Sequence, residues 1–198
     1  MKKNIIASLI PALAVFSFPT VAAVNPVIAD GGKINFTGSV VAAPCAVDNT
    51  TDGQTVTLGL VATNHLAAKG DSSPAVPFTI KLTGCDLTSA DIADPDTTAS
   101  YTSASVIFNG TTTGEDTTLA IQAAPGGAGE TTTAAQNVGI QILQNNKAVN
   151  VNGSTATEVQ QILKGTNEIP FSAVYVATGD GVVAGTANST VNFQVSYE

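Results

Sequence analysis

Arginine and tryptophan are absent from these 198 residues, and histidine occurs once, at His65. Charge is sparse: 7 basic residues, all lysine, stand against 15 Asp and Glu. Nucleic-acid recognition needs basic surface to neutralise phosphates, so that class is excluded. His65 has no nucleophile motif beside it, and neither G-x-S-x-G nor H-E-x-x-H is present, which leaves hydrolytic chemistry without its parts. Caps followed by long stretches of helical period are hard to find. Beyond the first twenty or so residues, no apolar run approaches the ~20 residues of a membrane span.

The opening residues point outward from the cell. Lys2 and Lys3 are followed by an apolar stretch from Ile5 to about Phe18, then Pro19 and the small-residue site Val21-Ala22-Ala23. This is the layout of a secretory signal peptide over residues 1–23, with cleavage after Ala23. As a membrane anchor it is too short: about 14 apolar residues, with Pro11 among them, fall short of ~20. The remaining 175 residues fit one domain. Removing Lys2 and Lys3 from the 7 lysines leaves 5 against 15 acidic residues, a net charge near −10. The acidic residues are scattered except in Asp91–Asp96, which reads as a solvated surface.

Two cysteines, Cys45 and Cys85, in an exported chain suggest one disulfide. Closing a loop of ~40 residues stabilises by about 4 kcal/mol on the chain-entropy account. A metal pair is the competing reading, with no further Cys or His near either thiol.

What the chain does have is short runs of β type: Lys33–Ala42, Gln54–Leu60, Val76–Leu82, Ala104–Asn109, Thr118–Ala123, Asn137–Leu143, Ala148–Val151, Asn167–Ala177 and Thr190–Tyr197. Asn109-Gly110 and Asn152-Gly153 suit tight turns of positive φ. Gly126–Gly129 and Gly179-Asp180-Gly181 read as loops. Many short strands between polar turns predict an all-β sandwich, with small helical turns as an option near Ser89–Ala93 or Ala156–Ile162.

The two ends of the chain differ. At the C-terminus Val191, Phe193, Val195 and Tyr197 alternate with Asn192, Gln194 and Ser196, which is a half-buried strand. Chain ends fray unless something ties them down, so this strand needs a partner. After the cleavage site, Pro26, Gly31 and Gly32 work against a stable element. Then Ile34, Phe36, Gly38 and Val40 fall on one face at period two, with Lys33, Asn35, Thr37 and Ser39 on the other. A loose extension thus leads into an alternating strand.

With these features in view, the chain resembles the pilin subunits of chaperone–usher fimbriae, most closely the major subunits of type 1-like rods. The resemblance spans the whole chain. It rests on GGKINFTGSVVAAPCAVD with Gly38 seven residues before Cys45, on KLTGCD around Cys85, on NVGIQIL and NEIPFSAVYVATG, and on Gly185 fourteenth from the end with Tyr197 penultimate. The departures are in loops: Asp91–Ser103 and Thr111–Thr117 are elaborated and rich in Thr.

The resemblance implies an incomplete immunoglobulin-like sandwich that lacks its last strand, completed by a donor strand from another subunit, the mode of β-strand addition known as donor-strand complementation. It implies a donor extension at residues 24–37 and a pilin domain at 38–198. Gly32, Ile34, Phe36, Gly38 and Val40 would be the donor positions. Val191, Phe193, Val195 and Tyr197 would line the receiving groove, which a periplasmic chaperone fills before assembly. For Ile34, Phe36 and Val40 the plainer reading is the first strand of the subunit's own core, and for Val40 the two readings stand close to even.

The implied partners are identical or related pilin subunits, the chaperone and an outer-membrane usher, with no nucleic acid. The implied place is the cell surface, reached through the periplasm. The implied function is structural, in a fibre that supports adhesion, with no catalytic site, metal or cofactor. The alternatives are a minor or adaptor pilin, and a sugar-binding adhesin subunit, which usually carries an additional lectin domain and lacks the donor extension. Asp94 and Asp96, separated by Pro95, lack the glycine and distal glutamate of a calcium loop. Asn-x-Ser/Thr tripeptides beginning at Asn35, Asn49, Asn109, Asn152 and Asn188 are chance matches in a chain this rich in Thr and Asn.

Overall fold

The computed structural model describes residues 32, 33, 35, 40, 43–48, 53–88, 100–123 and 133–198. The expected signal peptide at 1–23, and Ile34, Phe36 and Gly38 of the expected donor strand, lie outside the described residues. The chain divides into two units, Met1–Ser39 and Val40–Glu198. Of the first, Gly32, Lys33 and Asn35 are described, with Gly32 at a positive φ of 85° and the other two exposed.

The second unit is all-β among its described residues, apart from one 3-10 turn at Thr63–His65. Its strands are β1 (Ala46–Val47), β2 (Val76–Cys85), β3 (Ser103–Gly110), β4 (Leu119–Ala120), β5 (Val138–Gln144), β6 (Lys147–Ala148), β7 (Gln160–Gln161), β8 (Gly165–Ala177) and β9 (Val191–Tyr197). One sheet runs β1-β2-β8-β5-β4, with β6 paired to β5, and the other runs β7-β3-β9. All the strand pairings are antiparallel.

Alternation explains the layers. On β2, Ile80 and Leu82 are buried while Thr79 and Lys81 are exposed, and on β8 Ile169, Phe171 and Ala173 are buried. On β3, Ala104, Val106 and Phe108 face the same core as Ile140 and Ile142 of β5. The two sheets therefore meet face to face over one apolar core, which is the arrangement of a β-sandwich. The Phe78 ring stacks 5.7 Å from Phe171 on the first sheet. Phe108 of the second sheet meets Phe171 edge-on at 5.2 Å. Neither β3 nor β9 contains a lysine, aspartate or glutamate.

Cys45 and Cys85 form the expected disulfide, and both are buried. It joins the chain just before β1 to the end of β2. Beside it, the Asn167 amide donates to the Leu163 carbonyl at 2.6 Å and to Cys85 Sγ at 3.4 Å.

Several local expectations are corrected. Gln54–Leu60 carries no strand pairing among the described residues, although Val56 and Leu58 are half-buried and alternate with exposed Thr55 and Thr57. Ala156–Ile162 is not helical. Its backbone bonds to β3 instead: the Thr157 amide donates to Val106, the Ile162 amide to Thr102, and Gln160–Gln161 pairs as β7. Ser89–Ala93 lies outside the described residues.

Asn109-Gly110 is not a turn of positive φ. Gly110 ends β3 in extended pairing with Val191, and a Cβ there would sit 2.6 Å from Leu119 Cδ2. Asn152-Gly153 does bring a positive φ, 81° at the glycine. The tight hairpin is Asn145-Asn146, between β5 and β6, with φ of 51° and 63°; asparagine tolerates this left-handed region better than other side chains do.

Candidate functional site

The last strand is where the sandwich is open. β9 pairs with β3 along its whole length, and among the described residues nothing pairs with its other edge. The register is Ala104 with Tyr197, Val106 with Val195, Phe108 with Phe193 and Gly110 with Val191. Each of these four β9 side chains packs on the core cluster, yet all are only half-buried.

Backbone parity follows from the ends of this pairing. Ser103 and Glu198 exchange both bonds, amide to carbonyl, at 3.0 Å each way. In an antiparallel ladder such exchanging pairs alternate with pairs whose main-chain groups point away. Ser105–Ser196, Ile107–Gln194 and Asn109–Asn192 are thus the bonded pairs. The opposite side of β3 agrees: Val106, Phe108 and Gly110 use their main-chain groups on residues 151–157. Val191, Phe193, Val195 and Tyr197 therefore turn their N–H and C=O groups to the open edge, while their side chains turn to the core. An incoming strand would meet both at once.

Residues 54–61, unpaired among the described residues, border the same core. Leu58 packs on the same core cluster as the β9 face. Gly59, Leu60 and Val61 wall a hollow together with Val182–Asn188, the residues leading into β9. Leu66, Val138 and Tyr175 complete its apolar lining, and Leu60 and Val183 are exposed at its rim.

Three contacts hold the frame of the groove. At one end the Tyr197 hydroxyl donates to the Cys45 carbonyl at 3.4 Å, and its ring meets Tyr101 edge-on at 6.3 Å. At the other, the Tyr175 hydroxyl donates to the Ala187 carbonyl at 3.2 Å. Burial pushes the pKa of both phenols upward, because it disfavours the phenolate. Next to Ala187, Gly185 lies against backbone: an added Cβ would stand 2.5 Å from the Thr133 carbonyl oxygen and 2.6 Å from the Ala135 nitrogen. That contact, through the Ala134–Thr186 bridge, explains a glycine at this position.

Of the expected site residues, the structure brings Val191, Phe193, Val195 and Tyr197 together on one edge. Val40 is fully exposed at 101 %. Gly32 has no atom near its Cβ position. Leu58, Tyr175 and Gly185 were not singled out as groove-forming from sequence. Period two at Val56 and Leu58 was the available signal for the first, whereas the other two depend on contacts remote in the chain. Among the described residues no group of three or more His, Cys, Asp or Glu side chains is placed to hold a metal. His65 is exposed on the 3-10 turn.

Comparison with known proteins places this geometry. The sequence model of the family described as fimbrial protein matches residues 34–198. The chain is 37% identical over 199 residues to the type-1 fimbrial protein A chain of Escherichia coli K12, covering 99% of this chain and 98% of that one. It is 40% identical over 172 residues to the type 1 fimbrial subunit of Klebsiella pneumoniae, covering 85% of each. A solved chaperone–usher pilus, described in connection with rod uncoiling, superposes with a TM-score of 0.65 at 25% identity, covering 88% of this chain and 100% of that one. Matched along nearly its whole length by these subunits, the chain belongs to the fimbrial protein family and is a structural subunit of a pilus assembled on the bacterial surface.

Proposed function

We propose that this subunit polymerises by donor-strand exchange, each copy lending the extension at residues 24–37 and the adjoining strand to the groove of a neighbour. The observation that carries the reading is the parity of β9. The same four residues present main-chain groups at an edge that no described residue pairs, and half-wet apolar side chains beneath it. An unpaired strand over an open core is an aggregation hazard that a soluble protein must cover. A second strand cures both defects together.

In this reading Ile34, Phe36 and Val40 of one copy enter the groove lined by Val191, Phe193, Val195 and Tyr197 of the next. Gly38 fits where the groove is shallow, and Gly32 lies toward the far end. The exposure of Val40 and the absence of pairing along residues 54–61 are in keeping with this. Burying three large side chains contributes about 1.5–3 kcal/mol each before ordering costs. Main-chain bonds add about 1 kcal/mol apiece. Before assembly, a periplasmic chaperone occupies the same edge, and an outer-membrane usher is the site of exchange.

Deleting residues 24–37 tests the donor role. The truncated subunit should bind chaperone but yield no ladder of denaturant-resistant multimers, and long fibres from it would refute the proposal. Gly38→Arg should give the same phenotype through steric exclusion. Normal polymers from that variant would refute the register.

A further inference from the structure

The sequence contains two Asn-Gly steps, Asn109-Gly110 and Asn152-Gly153. This dipeptide is chemically fragile. The glycine nitrogen, unshielded by a neighbouring side chain, attacks the asparagine carboxamide carbon. A new N–Cγ bond closes a succinimide, the Cγ–Nδ2 bond breaks, and ammonia leaves. Water then opens the ring to aspartate or isoaspartate. Each event adds a negative charge, and the isoaspartate route also diverts the main chain through the side chain.

The fold needs both glycines. A Cβ on Gly110 would meet Leu119 Cδ2 at 2.6 Å and the Thr190 carbonyl oxygen at 3.3 Å. Gly153 has φ +81°, and its Cβ would stand 3.1 Å from Asn109 Cγ. A side chain that would slow the attack would displace Leu119 at the first position and strain the backbone at the second, so protection comes from elsewhere.

The two steps lie against each other. Asn109 and Asn152 form an antiparallel bridge. The Gly110 N–H donates to the Val151 carbonyl at 2.7 Å, and the Gly153 N–H donates to the Phe108 carbonyl at 2.8 Å. Val151 immediately precedes Asn152, and Phe108 immediately precedes Asn109. Each attacking nitrogen is thus tied to the main chain next to the other asparagine. A nitrogen held in this way can neither lose its proton readily nor turn toward its own carboxamide. The Asn152 carboxamide is held as well: its Oδ1 accepts from the Ser154 amide at 3.0 Å and from the Ser154 hydroxyl at 2.6 Å.

We propose that Asn109 and Asn152 form a reciprocally guarded pair of deamidation sites. They are silent while residues 151–157 are strapped to β3, and they open together when the strap lifts. The strap continues at Thr157, whose amide donates to the Val106 carbonyl at 2.8 Å and whose hydroxyl accepts from the Val106 amide at 3.0 Å. Deamidation at both sites would put two carboxylates on directly opposed residues, where like charges repel. A subunit that lingers open would then be marked irreversibly and unable to close this seam again. The chemistry acts as a clock on folding that stops when β3 docks.

Peptide mapping by mass spectrometry tests this on the exported full chain, incubated in mildly alkaline buffer with and without urea. Without urea, both asparagines should survive a period in which the unfolded chain converts both. Conversion of either site in the folded chain at the unfolded rate would overturn the proposal. Thr157→Val removes one strap bond and touches neither dipeptide. Where opening is fast relative to the chemistry, it should raise both rates by the same factor, about fivefold. A rise at one site alone, or at neither, would overturn the coupling. Amide hydrogen exchange gives an independent reading: Gly110 and Gly153 should exchange with matched protection, and loop-like exchange of one beside slow exchange of the other counts against it.

Discussion

The ring of Phe193 lies 6.4 Å from that of Phe108, its partner across the β3–β9 pairing. Phe108 is 2 % exposed, whereas Phe193 is half-buried. The interior of the sandwich therefore passes into an open groove within the width of one side chain. The core and the open edge are one body of apolar residues, and three expectations follow.

Truncating Phe193 should act mainly on the joint between subunits. The proposed exchange would make its ring interior, so Phe193→Ala should weaken the joint by about 3–5 kcal/mol, the cost of emptying a buried aromatic site. The measurement is the denaturant concentration at which the multimer ladder collapses. Asn192→Ala, on the opposite face of β9, should leave that concentration nearly unchanged; equal effects would mean that the apolar face is not what the joint buries.

Gly185→Ala should disturb the approach to the groove without touching β9. The added methyl would press on the backbone of residues 133–135. It should also strain the bonds from the Ala135 amide to the Thr186 carbonyl and from the Thr186 amide to the Thr133 carbonyl. Overpacking of this kind costs about 1–3 kcal/mol. Hydrogen exchange should find the loss at Ala135 and Thr186, with the β2–β8 ladder unaffected.

Alkali should release the end of β9 before it unfolds the sandwich. Burial raises the Tyr197 pKa above its ordinary value of 10.0. The folded-state value is above the unfolded one, so the contribution of the neutral phenol is complete below the unfolded value and is lost as pH rises through the folded value. Ultraviolet titration of wild type against Tyr197→Phe isolates this phenol, and the variant should lose that alkaline step. The hydrogen bond to Cys45 is lost with it, at about 0.5–1.5 kcal/mol.

Much of the fold was legible because the long strands announce themselves. β2, β8 and β9 each alternate over enough residues for the buried face to be read directly, and β8 retains a core-facing Ile169, Phe171 and Ala173 despite Pro170. Periodicity, however, reports which side of a segment is buried and says nothing of whether its backbone has a neighbour. That is why Gln54–Leu60 reads as a strand and yet pairs with nothing described. β7 is two glutamines held by β3, with no apolar pattern to reveal it. The Asn145-Asn146 hairpin lacks the glycine that usually signals such a turn.

The groove was half legible. The apolar face of β9 is written in Val191, Phe193, Val195 and Tyr197. The direction of its main-chain groups is set by the pairing with β3, which no local pattern encodes. Gly185 owes its identity to residues 133–135, some fifty positions earlier in the chain. The reciprocal position of the two Asn-Gly steps is equally a product of tertiary structure, since the sequence showed only two separate turn candidates.

The lack of any lysine, aspartate or glutamate in β3 and β9 has a bearing on life outside the cell. Attraction between charges fades as dissolved ions crowd around them, but adhesion made from apolar contact and main-chain bonding offers those ions nothing to shield. Excluded salts such as sulfate tighten it instead. A filament gripped through such an edge should bear its load alike in fresh water and in brine.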